Sequence, residues 1–160
     1  MRPGPPTAEA ALELARQAAE AAGQVLLGEW AAVRAGGAIG SKSSATDPVT
    51  RADVAAQRVI AELITARRPD DAILGEEGLD SGGQSGWQWI VDPLDGTVNY
   101  LYGRADWAVS IAARNETGRT VAAVVHAPAH GRTYAATLTA AAGWTADGSR
   151  CGTSRNWPAR

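Results

Sequence analysis

A chain of 160 residues, 45% hydrophobic and 20% charged, has the length and composition of one globular domain with a real core. Its net charge of -2 leaves no basic footprint for nucleic acid and no polybasic patch for a membrane surface. A single cysteine, Cys151, excludes an internal disulfide and fits a reducing cytoplasm; residues 1–6 lack the apolar run of a signal peptide, and no stretch is apolar enough to cross a membrane.

The first element is a helix. Thr7 is placed to cap it, Glu9 in its first turn complements the dipole, and Leu12, Ala15, Ala19, Ala22 and Leu26 recur at helical spacing to about Trp30. The glycines of residues 35–40 break it, and residues 41–44 read as polar loop or edge strand. A second helix is expected to begin near Thr50, where Thr50 and Asp53 have the layout of a capping box. Ala56, Val59, Ile60, Leu63 and Ile64 mark its buried face, and Arg67, Arg68 and Pro69 its end. Residues 72–74 read as a short strand that runs into Glu76 and Glu77, followed by a Gly/Ser-rich loop.

The densest chemical signal lies between Trp87 and Gly103. Residues 87–91 are aromatic and β-branched, as in a buried strand, and Asp92-Pro93 is expected to end it because Pro93 has no backbone donor. Leu94, Asp95, Gly96 and Thr97 then turn the chain into a short helix-like segment through Tyr100. Two carboxylates therefore stand at a strand's carboxyl end beside free amides, which puts hard oxygen ligands next to an anion site. Either dipeptide alone, Asp-Pro or Asp-Gly, is ordinary turn punctuation. Both in one strand-to-helix joint, with Thr97 following, favour a site. A neighbouring strand ending at Glu76 would set that acid opposite Asp92.

Residues 107–113, 120–125 and 133–137 read as further strands, separated by turns at residues 115–118 and 129–132. Residues 143–149 read as loop, and residues 150–152 as a last strand. This hairpin series implies an α+β fold, with two N-terminal helices packed on a largely antiparallel sheet. His126 and His130 lack the partners that a zinc site or a nucleophilic triad needs, and both read as surface or edge residues. Cys151 reads as inert and the tryptophans mostly as core.

Three segments together resemble a known family. Asp92-Pro93-Leu94-Asp95-Gly96-Thr97-Val98-Asn99-Tyr100 is similar to the signature of the inositol monophosphatase family of Mg²⁺-dependent phosphomonoesterases. Ile73-Leu74-Gly75-Glu76-Glu77 resembles its Gly-Glu-Glu strand end, and residues 47–53, preceded by Lys42, resemble its Asp-x-Val-Thr-x-x-Asp segment. The resemblance implies the first half of a layered α/β/α/β/α sandwich. The family's second-half Trp-Asp-x-Ala-Ala-Gly motif does not occur, so residues 1–160 are expected to be an N-terminal metal- and phosphate-binding half.

The same resemblance assigns roles. Glu76, Asp92, Asp95 and the Leu94 carbonyl would hold Mg²⁺, with Glu77 and Thr50 in support. The amides of Gly96 and Thr97, with Asp95 beside them, would hold phosphate. The Thr97 hydroxyl, bonded to Asp53, would orient the attacking water, so that no covalent phosphoenzyme forms. On local pattern alone Asp53 is a helix cap, and the two roles are compatible. The implied substrate is a small phosphate monoester, inositol 1-phosphate first, with phosphoadenosine phosphate, histidinol phosphate and fructose bisphosphate as alternatives. The contrasting reading is an inactive remnant or interaction module. Because the missing half would add a ligand and close the cleft, the chain alone is expected to bind metal weakly, turn over little and self-associate, with homo-oligomer formation left open.

Overall fold

A computed structural model describes residues 6–35, 47–75, 81–138, 140–145 and 150–151. Helix α1 (Ala8–Arg34) begins where Thr7 accepts the Ala10 amide through its side chain, at 3.1 Å. Ala11, Ala15, Ala18, Ala19 and Ala22 form a buried stripe slim enough for close approach to neighbouring elements. The helix runs past Trp30 because Val33 is also buried and the Arg34 guanidinium lies 4.9 Å from the Trp30 ring centre.

Helix α2 (Asp47–Arg67) starts at Asp47, earlier than the capping-box pattern suggests. Pro48 is tolerated there because the first helical turn has amides without helical partners in any case. Asp53 consequently lies inside the helix and does not cap it. Ala52, Ala56, Ile60 and Ile64 are its fully buried face.

Among the described residues the sheet has seven strands in sequence order: β1 (Ala72–Gly75), β2 (Gln88–Asp95), β3 (Ala108–Arg114), β4 (Thr120–Ala127), β5 (Arg132–Thr137), β6 (Ala140–Thr145) and β7 (Arg150–Cys151). Only the β1–β2 pair is parallel; the other neighbours are antiparallel. Helix α1 packs on α2 and on β3, β4 and β5, while α2 packs on β2. The core between them holds Trp89, Val91, Val109, Ile111 and Val124. The expected α+β fold, two helices on a largely antiparallel sheet, is the one observed.

Three expectations need correction. Pro93 does not end β2, which continues to Asp95. Asp92 pairs with Ser110 and Asp95 with Ala108, so the chain bulges between them, and a bulge is where a strand accommodates a residue without an amide donor. Residues 143–145, read as the start of a loop, belong instead to β6, which forms because a hairpin pairs Thr137 with Ala140 and onward. His126 is not an edge residue: it is 8% exposed, on the helix-facing side of β4, and its Nδ1 is hydrogen-bonded to the Thr133 hydroxyl at 2.8 Å.

At the β1 end, Asp71 anchors the sheet edge. Arg68 donates two hydrogen bonds to its carboxylate at 2.9 Å each, Trp89 Nε1 one at 2.9 Å and the Ser85 hydroxyl one at 2.7 Å. Burial alone would push the Asp71 carboxyl up, but these donors outweigh it and hold it below the usual carboxylate range.

Candidate active site

The candidate site is built on the β2 bulge. Asp92 leaves the regular ladder opposite Ser110, and its Oδ1 accepts the Leu94 amide at 3.2 Å, closing a tight local turn. Pro93 and Leu94 are buried, which fixes the turn from beneath, while Asp95 is exposed at its crest. Gly96 follows in the left-handed region at φ 88°, and helix α3 (Thr97–Leu101) starts immediately after it.

Gly96 is required for two reasons. A side chain disfavours that φ, and a Cβ there would stand 2.7 Å from the Asp106 carbonyl oxygen. The close approach is therefore made by the chain's own loop. The Thr97 hydroxyl donates to the Leu94 carbonyl at 3.0 Å. This corrects the expected donation to Asp53, since a hydroxyl has one proton to give. The Leu94 carbonyl keeps a second lone pair for another donor or a cation.

Behind the turn, Tyr100 anchors α3 to α1. It is buried, and its hydroxyl donates to the Leu26 carbonyl at 2.7 Å. Burial, with the Glu29 charge adding to it, raises the Tyr100 phenol above its ordinary range, so it stays a protonated donor. Its ring meets Trp107 edge-on at 5.1 Å, and Trp107 in turn meets Trp30 at 5.7 Å.

The structure thus brings Asp92, Leu94, Asp95, Gly96 and Thr97 into one turn, with Asp53 half-buried on α2, a helix that also packs against α3. Glu76, Glu77 and Lys42, and the side chain of Thr50, lie outside the described residues. The last described pair of the parallel ladder is Gly75 with Val91, the residue before Asp92. Among the described residues no three acidic, histidine or cysteine side chains come together as a metal cage. The turn carries two carboxylates and a carbonyl, hard oxygens of the kind Mg²⁺ takes, so the residue types present fit that ion. Sequence reasoning missed Asn99, Asp106 and Trp107, which hold the turn from outside. The signal was faint, because Asn99's partner is a main-chain carbonyl seven residues away.

The helix pair on this mixed sheet is a fold shared with solved structures. SuhB of Mycobacterium tuberculosis superposes with a TM-score of 0.73 at 32% identity, over 92% of this chain and 52% of that one. The inositol monophosphatase family pattern matches residues 8–156, and the chain belongs to that family of metal-dependent phosphomonoesterases. The inositol-1-monophosphatase of Mycobacterium leprae is 42% identical over 106 residues, 63% of this chain and 36% of that protein. The fructose-1,6-bisphosphatase/inositol-1-monophosphatase of Thermotoga maritima is 41% identical over 88 residues, 55% of this chain and 33% of that protein. The chain therefore spans about a third of these curated relatives and about half of the solved one.

Proposed function

We propose that the chain is the metal- and phosphate-binding half of a Mg²⁺-dependent phosphatase acting on a small phosphate monoester in the cytoplasm. Inositol 1-phosphate is the first candidate substrate, in line with the M. leprae relative, and a sugar bisphosphate the second, in line with the T. maritima one. The observation that carries this reading is the bulge that presents Asp92 and Asp95 on either side of a buried Pro-Leu pair, with Gly96 and Thr97 next in line.

Asp92, Asp95 and the Leu94 carbonyl would hold the ion, joined by Glu76, with Glu77 and Thr50 in support. When bound, Mg²⁺ offsets the charge that develops on the phosphoryl oxygens. The amides of Gly96 and Thr97 orient the phosphate. The Thr97 oxygen, whose proton is engaged by Leu94, accepts a hydrogen bond from the attacking water, and Asp53 assists in taking its proton. Such a partner set needs no covalent intermediate. No described helix is long and apolar enough to cross a membrane.

Clustered carboxylates repel one another until a cation joins them, so Mg²⁺ should raise the melting temperature. Asp92→Asn and Asp95→Asn should each remove most of that rise. A melting curve indifferent to Mg²⁺, or variants that respond like the parent, would overturn the reading.

A further inference from the structure

Asn99 belongs to the same stretch as the site residues, yet the phosphatase reading gives it no role. Its side-chain Nδ2 donates to the Asp106 carbonyl at 2.8 Å, and the Arg104 amide donates back to the Asn99 carbonyl at 2.8 Å. These two bonds fold residues 102–107 back over α3. The Asp106 carbonyl so held is the one that lies 2.7 Å from the missing Cβ of Gly96; the Trp107 Cα lies 3.1 Å from the same point. Asn99 and Gly96 thus share one oxygen, gripped by the first and pressed against the second.

The far side of the loop is fixed independently. Trp107 is 3% exposed and wedged against Tyr100 and Trp30, so the loop cannot be drawn inward. Asp106 itself is exposed, and its carboxylate reaches His130 Nε2 at only 3.3 Å, a weak surface contact. Of the contacts described, the Asn99 donor is the side-chain bond that grips the Asp106 carbonyl itself, with the Arg104 amide bond beside it.

We propose that Asn99 is the positioning residue of the site: by clamping the Asp106 carbonyl onto Gly96 it fixes the left-handed turn that sets Asp95 and Thr97 in relation to each other. The inference rests on reading that turn as the metal and phosphate site. Asn99 touches neither ion nor substrate; it acts through Gly96. Supporting groups of this kind typically contribute 10- to 100-fold to metal affinity.

The test compares the full chain with Asn99→Asp, which keeps the size and loses the donor, and Asn99→Gln, which keeps a donor. Amide hydrogen exchange at Tyr100 and Arg104, whose amides donate to the Gly96 and Asn99 carbonyls, is measured against Ile111 and Val124, and Mg²⁺ affinity by calorimetry. Asn99→Asp should exchange faster at Tyr100 and Arg104 only, and bind Mg²⁺ on the order of tenfold more weakly. Asn99→Gln should recover part of both. Unchanged exchange in Asn99→Asp, or acceleration spread equally over Ile111 and Val124, overturns the clamp. A wild-type chain that binds no Mg²⁺ removes the site reading instead, and the exchange comparison still decides the clamp by itself.

Discussion

Thr97 shows how much a single hydroxyl depends on its direction. It donates to Leu94 and leaves its oxygen free to accept, so under the proposed function it acts on the water and not on the ion. Thr97→Ala should therefore keep the Mg²⁺-induced rise in melting temperature and, in a version that carries the family's second half, slow phosphate release by on the order of 10²-fold or more. Thr97→Ser should restore most of the rate. An alanine variant that turns over like the parent would take Thr97 out of the chemistry, whatever its effect on folding. The acids and glycine of this turn were legible in the sequence because a cation site needs those residue types. The hydrogen bonds were not. The Leu94 carbonyl that takes the Thr97 proton lies in a bulge of one residue, and Asp-Pro in a strand reads as an end before it reads as a bulge.

At the scale of elements, helix α1 and strand β4 meet at one close contact. Gly23 faces the His126 ring, where a Cβ would stand 2.7 Å from Cδ2 and 2.8 Å from Nε2. His126 Nε2 is buried with no hydrogen-bond partner among the described residues, while Nδ1 is bonded to Thr133. Burial lowers the His126 pKa below its ordinary 6.5, opposed by the Glu20 charge and an Arg132 backbone bond. A depressed folded-state value means that the unfolded chain takes the proton first. The contribution to stability is therefore whole above about pH 6.5 and is lost as the pH falls toward the folded-state value. His126→Asn should flatten that part of the melting-temperature profile; an unchanged slope between pH 7 and 5 would show that His126 does not set it. Asp71 is also held low, so its loss belongs to a more acid window. Gly23→Ala should destabilise by roughly 1–3 kcal/mol, read from urea unfolding, because the imidazole has to move. The two long helices were legible from periodicity, and six of the seven described strands from their composition and the turns around them. The buried side of His126 was available in the same way, since Val124 shares its face. The β6 strand was not: alanine carries no strand signal, and only pairing with β5 forms it.

The whole molecule has one helix-covered face and one face with no helix on it among the described residues. Side chains alternate across a strand, so residues flanking the buried ones point to the second face. Leu74 pairs with Ile90, Ile90 with Ala112, Ala112 with Ala123 and Ala123 with Ala136, an unbroken apolar row across five strands. Leu74, Val125 and Tyr134 are 38%, 40% and 43% exposed. Alanines in the middle make the row flat, and flat apolar surface of this extent draws a partner surface onto it. The chain at hand should therefore self-associate through this face, increasingly with concentration, with the helix-covered side left outward. Light scattering over a concentration series should give a mass above one chain, and Val125→Lys with Tyr134→Lys should bring it down. Those two positions lie on the face away from α1 and α2, so the paired variant should keep its Mg²⁺-dependent rise in melting temperature while it loses the larger species. A wild-type chain that stays monodisperse and monomeric throughout would show that the row is covered or too narrow to bind. Association that survives both lysines would place the contact elsewhere.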